Sequence, residues 1–443
     1  MSTPEPNTGL ERLYRESGWT LRQLAQEINR IGTERGTPLK YQEPSVHQWL
    51  KGHMPKESVR PLILEAFARR LARPITHAEA GFPAPPKELI SHPSTVDGLL
   101  DLGRQDMDPS RRSVMGAALF SVALAVPNWP DVVGRMEMVG SGKPLRIGMA
   151  DVDMVIAMTD RISELDDQFG GRHARPMAAA FLVNTVAPYL RADAPEHVRK
   201  AMMSAASFLS YLTGWMAVDE GLHGLAQRYY LKGLELAGAS ADHSTYCHIL
   251  RGMSVQAADL GHGAPAVRFA NASSATSPKS GPRMSAFVSG QQAHSFAIAG
   301  DRVNALRSIR ETERSMEKAE SAAGTFGGYN PATVAYHTAQ VRHALGDVAG
   351  SISSLQLHFK LRDETDSQRS ELRFSSMLAE RQLEIGHLEA ACNTWNKVLD
   401  RHSAMHSDRL DRHVAMIPSL LNSYRANLTA RETRERAIQA LVS

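Results

Sequence analysis

Between Pro44 and Gly52 the chain reads PSVHQWLKG, and its polar side chains are of types that contact the edges of base pairs. On a helix, Val46, Trp49 and Leu50 share one face and leave Ser45, His47, Gln48 and Lys51 on the other. A glutamine amide pairs bidentately with adenine, and serine or histidine reaches base edges or phosphates. Thr20, Arg22, Lys40 and Lys56 join this set; the cations, with Lys51, suit phosphate contacts that position a protein without specifying sequence. Charge points the same way. Residues 1–82 carry 12 Lys and Arg against 9 Asp and Glu, while the rest of the chain carries 38 of each. The whole net charge of +3 therefore lies in the first fifth of the chain, where it favours a polyanion.

Other chemistries are poorly provided for. The sequence holds no His-Glu-x-x-His and no Gly-x-Ser-x-Gly, and its nearest phosphate-loop string, Gly140 to Lys143, is followed by Pro144 where a Ser or Thr is required. His402 and His406 lie one helical turn apart with His413 beyond; among 18 histidines such a pair reads as a solvated face. No catalytic residue, cofactor or metal is expected. Cys247 and Cys392 are too few and too far apart for a disulfide framework, which points to a reducing cytoplasm. Arg111-Arg112 and the apolar run Val114 to Val126 imitate an export signal. The run sits deep in the chain and is too short to span a bilayer, so it reads as a buried helix and no membrane partner is expected.

The elements that must carry these residues are helices. Straight-chain apolar residues abound and β-branched runs are scarce. Leu10, Leu13 and Tyr14 open a helix that ends at Gly18. Thr20 caps a second, with Leu21, Leu24, Ala25 and Ile28 on one face. After a long turn of about a dozen residues, Pro44 suits the first position of the third, and Val59 to Leu71 forms the fourth. A proline-rich linker follows, from residue 83 to 94, with Pro83, Pro85, Pro86 and Pro93.

From residue 200 the sequence repeats itself. Gly221, Gly261, Gly300, Gly346 and Gly386 each precede, by five residues, a small one: Ala226, Ala266, Ala305, Ser351 and Ala391. Four residues further stand Tyr230, Ala270, Ile309, Leu355 and Trp395. Glycine turns the chain between antiparallel helices, and the small residue lets the second helix press on the first. Each hairpin keeps an apolar face that only the next can cover. Residues 152–192 supply leading hairpins and 408–443 a closing pair.

Two resemblances follow from these residues. WTLRQLAQEINRIG and PSVHQWLKGHMP resemble the lambda-repressor/Xre helix-turn-helix class through Thr20, Leu24, Ala25, Ser45, Val46, Trp49 and Gly52, over about residues 9–82. The turn between the second and third helices is longer than that family's. The repeated units resemble tetratricopeptide repeats in their Gly-x-x-x-x-Ala-x-x-x-aromatic core, with spacings of 40, 39, 46 and 40 instead of that family's shorter period. The expected fold is all-α: a helix-turn-helix bundle (1–82), a linker with connecting helices (83–150) and an α-solenoid of tetratricopeptide-like hairpins (151–443).

The second resemblance implies a concave groove lined by the first helix of each hairpin, where Gln256, Gln291, Gln292, His294, Tyr336, His337, Gln340 and Arg373 are candidate effector contacts. The pairing of the two domain types is similar to that of peptide-pheromone receptors of Gram-positive bacteria and of actinobacterial regulators of development and secondary metabolism. It implies a homodimeric regulator that binds an inverted repeat in double-stranded DNA and senses a peptide or small molecule. The alternative is a protein–protein scaffold in which the first bundle docks a partner instead of DNA.

Overall fold

The structure, a computed structural model, describes residues 6–34, 39–71, 75, 77, 79–83, 95–107, 146–319, 329–363 and 367–441. Among these the secondary structure is helical apart from one isolated bridge between Arg146 and Asp193. Most of the linker, the Arg111-Arg112 segment and the glycine string 140–143 lie outside the described residues.

Four helices form the first unit: α1 (Thr8–Ser17), α2 (Leu21–Glu34), α3 (Glu43–Leu50) and α4 (Arg60–Leu71). Gly18 ends α1 in the left-handed region at φ 64°. Thr20 then caps α2 in a reciprocal box. Its Oγ1 accepts from the Gln23 amide at 3.2 Å, while Gln23 Oε1 accepts from the Thr20 amide at 2.9 Å. Leu13, Leu24, Ile28, Val46, Trp49, Ile63 and Phe67 fill one core. Burying such side chains is the main favourable term for a bundle of this size, at about 1.5–3 kcal/mol each.

A helix lies in the stretch expected to connect the two units. Helix α5 (Thr95–Met107) buries Val96, Leu99 and Leu102 in the same core as the leading hairpin. Its Asp106 pairs with Arg175 and accepts from the Tyr229 hydroxyl at 2.9 Å. The leading hairpin is α6 (Met149–Phe169) with α7 (Gly171–Phe181), which runs on through a π-helical turn (Leu182–Val186) to Leu190.

The expected repeats follow as stacked hairpins: α8 (Glu196–Asp219) with α9 (His223–Ser240), α10 (His243–Asp259) with α11 (Gly263–Thr276), and α12 (Pro282–Ile298) with α13 (Arg302–Glu317). Then come α14 (Pro331–Ala344) with α15 (Val348–Leu361), α16 (Gln368–Glu384) with α17 (Leu388–His402), and the closing α18 (Asp408–Leu420) and α19 (Leu428–Ala440). All five turn glycines have positive φ, between 72° and 85°. Each turn carries the same pair of bonds; at Gly221, the glycine amide donates to Val218 and the next amide to Ala217. The small residues five positions on are fully buried, and Tyr230, Leu355 and Trp395 pack beneath them. Gly214 on α8 lies so close to the Tyr230 ring that a Cβ there would approach it to 2.7 Å. Helix α8 is long and apolar enough to cross a membrane on composition, but 78% of its most apolar window is buried inside the protein.

Candidate ligand site and nucleic-acid face

The hairpin stack curls until its ends meet. Helix α6 touches α16, and the His406 amide just before α18 donates to the Phe169 carbonyl at 3.0 Å. Charged side chains lock this closure. Arg369 on α16 lies 2.8 Å from Asp166 on α6 and 3.6 Å from Asp219 at the end of α8. Ser407 donates to the other oxygen of Asp219 at 2.8 Å. Arg373 reaches Asp259 at 3.2 Å, and Arg409 on α18 pairs with the same carboxylate.

Burial sets the protonation of this network. It pushes Asp166 up to about 7, helped by the neighbouring Asp219 and Asp167 and opposed by Arg369. Burial also works against the charged form of Asp259, but Arg409 and Arg373 outweigh it and hold that carboxyl below the usual range.

Inside the ring is a cavity of about 510 Å³, lined mainly by the first helix of each hairpin, with His358 of α15 added. Its walls are strongly aromatic: Phe208, Tyr211, Trp215, Phe287, Tyr336 and Phe374 all face it. Tyr336 and Phe374 stack at 4.0 Å, and His248 meets Tyr211 edge-on at 4.5 Å. The Arg251 guanidinium lies 3.7 Å from the Phe287 ring centre. Burial lowers His248 to about 3 and His294 to about 4, so both are neutral at physiological pH. The assembly suits a flat apolar body with a polar or charged end.

Four of the eight residues named for an effector line this cavity: Gln291, His294, Tyr336 and Arg373. The others are engaged elsewhere. Gln256 donates to the His223 carbonyl at 2.9 Å between helices, and His337 bonds the Tyr329 hydroxyl at 2.9 Å. Gln340 accepts from Arg381, and the half-buried Gln292 bonds Asn271 at 2.6 Å. Sequence reasoning did not single out Arg251, Arg369, Arg409, Asp166, Asp219 or Asp259. A signal existed: Asp219 and Asp259 both stand two residues before a turn glycine, at the same register of successive hairpins. His402 and His413 bond two different carboxylates, Asp411 at 2.8 Å and Glu380 at 2.6 Å.

In the first unit, α3 buries Val46 and Trp49, while His47, Gln48 and Lys51 are exposed and Ser45 is half-buried. Thr20, Arg22, Lys40 and Lys56 are exposed as well, so the eight residues named for nucleic acid all keep surface. The aim of α3 is set by Asn29 on α2. Its amide donates to the Tyr41 carbonyl at 2.9 Å and accepts from the Tyr41 amide at 2.8 Å. The Tyr41 ring then meets Trp49 edge-on at 5.0 Å. Both backbone groups of Tyr41, just before α3, are thereby held by α2.

Residues 10–83 match the family described as the SP15 N-terminal domain. That description does not name the lambda-repressor/Xre class, so the helix-turn-helix resemblance rests on the sequence motif alone. No curated protein matches the chain. Among solved structures, the crystal structure of the P58(IPK) TPR domain is similar at 13% identity, covering 66% of this chain and 89% of that one, with a TM-score of 0.18. At that TM-score the overlay adds nothing to the hairpin geometry described above.

Proposed function

We propose that the protein is a two-part interaction protein: a closed ring of helical hairpins that receives a ligand, and an N-terminal bundle that docks a macromolecular partner. The observation that carries this reading is the ring cavity, where aromatic walls and charged groups from hairpins at both ends of the array converge. Small-molecule sites are concave, largely apolar and furnished with a few placed polar groups, commonly about 300–1,000 Å³ in volume. Alanine substitution of Trp215, with ligand binding and melting temperature both measured, tests the reading. Loss of binding at an unchanged melting temperature supports it; unchanged binding removes the cavity from the account.

A second reading of the bundle is favoured by α3. Its polar residues face solvent while Val46 and Trp49 hold it to the core, and the net positive charge of the chain lies in this unit. In this reading the partner is double-stranded DNA, and two copies of the chain place two α3 helices on an inverted repeat. The ring then acts as the sensor of a transcriptional regulator. A salt-dependent gel shift on genomic fragments separates the two. A specific shift whose affinity falls steeply with salt selects DNA; no shift at low salt leaves a protein partner.

A further inference from the structure

Five arginines line the ring cavity, and four of them are paired with carboxylates. Arg369 has Asp166, Arg373 and Arg409 share Asp259, and Arg362 lies 2.8 Å from Glu371. Arg251 is the exception: among the described residues no carboxylate pairs with it. Its Nε is buried and has no hydrogen-bond partner. Four phenols lie close enough to feel its charge, Tyr211, Tyr329, Tyr336 and Tyr230. Burial pushes Tyr211 up to about 12 and raises Tyr329 and Tyr230 as well, so these three do not neutralise it at physiological pH. His248, one turn earlier on α10, is neutral and has a buried Nδ1 with no partner.

A half-buried guanidinium without a counter-charge is costly, and desolvation lowers its proton affinity. An anion that enters the cavity would supply the partner that the described residues do not. The two Nη groups at the end of the guanidinium present a pair of parallel N–H groups, which match the two oxygens of a carboxylate or of a phosphate. Aromatic rings stand beside it, the carboxylates that line the cavity include Asp166, Asp259 and Glu371, each paired with another arginine, and the space is about 510 Å³, that of a small molecule instead of an extended chain.

We infer that Arg251 anchors the anionic head of a small aromatic acid, whose flat body lies against the walls formed by Tyr211, Trp215 and Tyr336. This inference rests on the ring cavity being a ligand site. A planar carboxylate is the better match for the end of the guanidinium, and a phosphate is the other source of the same chemistry.

The test uses the full-length protein and a matched panel: two- and three-ring aromatic carboxylates, their primary amides and the corresponding aryl phosphates, measured by calorimetry. Amides keep the shape and lose the charge. Carboxylates are expected to bind at least about tenfold more tightly than their amides, as for a charge-assisted pair formed away from water. Arg251→Met should bring the acids down to the affinity of the amides and leave the amides unchanged; Arg251→Lys should restore part of the difference. Phosphates that outrank carboxylates identify the head group as a phosphate and support the same anchor. Equal affinities of acid and amide in the wild type overturn the role of Arg251 while leaving the cavity as a ligand site. No binding by any member of the panel overturns both. Should Arg251→Met fail to fold, the wild-type ratio of acid to amide decides alone.

Discussion

Arg369 Nη1 lies 2.8 Å from Asp166 Oδ1, joining α16 to α6 across 203 residues of sequence. Neither side chain has appreciable exposure, at 10% and 2%. This contact converts a row of hairpins, each resting on its neighbour, into a ring whose first and later members touch. A hairpin array is ordinarily stabilised through neighbours alone; here a long-range ion pair adds a constraint that no single hairpin supplies.

Removing one member of such a pair leaves the other buried and uncompensated. Above about pH 7, where Asp166 is ionised, Arg369→Met should destabilise the ring by about 3–5 kcal/mol, because Asp166 and Asp219 both lose their cation. Chemical denaturation of the two proteins measures it. A loss below about 1 kcal/mol would mean that the contact is solvated and that the ring opens freely.

Asp166 also makes stability depend on pH. Its carboxyl titrates near 3.8 in the free chain and about 7 in the fold, mainly because of burial. Between those values the folded protein keeps a proton that the unfolded chain has released. The contribution of this group to stability therefore falls as pH rises from about 4 to about 7. His294, lowered to about 4 by burial, acts in the opposite sense: the unfolded chain holds its proton longer, so its contribution rises over nearly the same window. Comparing wild type with Asp166→Asn isolates the first effect. The variant should gain in melting temperature relative to wild type as pH rises through that window, and a constant gap would contradict the burial of Asp166.

The connection into α3 depends on one amide. Asn29→Ala removes both hydrogen bonds to Tyr41 and leaves a backbone N–H and carbonyl unpaired, at a cost of about 1–3 kcal/mol. Thermal melts of the full chain should show the bundle's transition moving while the ring's stays in place. If Tyr41 and Trp49 separate, near-ultraviolet circular dichroism changes with it.

On the DNA reading, Gln48 and Lys51 should behave differently. Gln48→Ala should weaken a cognate site by about 1–3 kcal/mol and relax one base position. Lys51→Ala should weaken every sequence alike and reduce the slope of affinity against salt by about one unit. Identical effects of the two changes on specific and random DNA would remove α3 from the groove.

Much of the fold was legible because local chemistry dictates it. The five turn glycines and the small residues that follow them encode a close helix crossing that only one backbone geometry satisfies. Trp49 and Val46 likewise mark the inward face of α3 by spacing alone. Ring closure was not legible. It depends on small rotations summed over successive hairpins, and the pairs that seal it, such as Asp166 with Arg369, are far apart in sequence. The cavity suffered for the same reason. Amides on inward helices were singled out as peptide contacts, yet Gln256 and Gln340 are consumed in holding helices together. Most of the groups that face the cavity are aromatics, arginines and carboxylates, whose inward aim follows from the curvature of the whole array.

Hydrogen–deuterium exchange on the full-length protein, with and without the tightest-binding acid of the matched panel, tests the central claim most directly. The account predicts that peptides from α6, α10 and α16 gain protection together, since the ligand occupies a cavity closed by helices from both ends of the array. Protection confined to one hairpin, or no change on α6 and α16 when the acid is bound, would contradict a ligand held inside a closed ring.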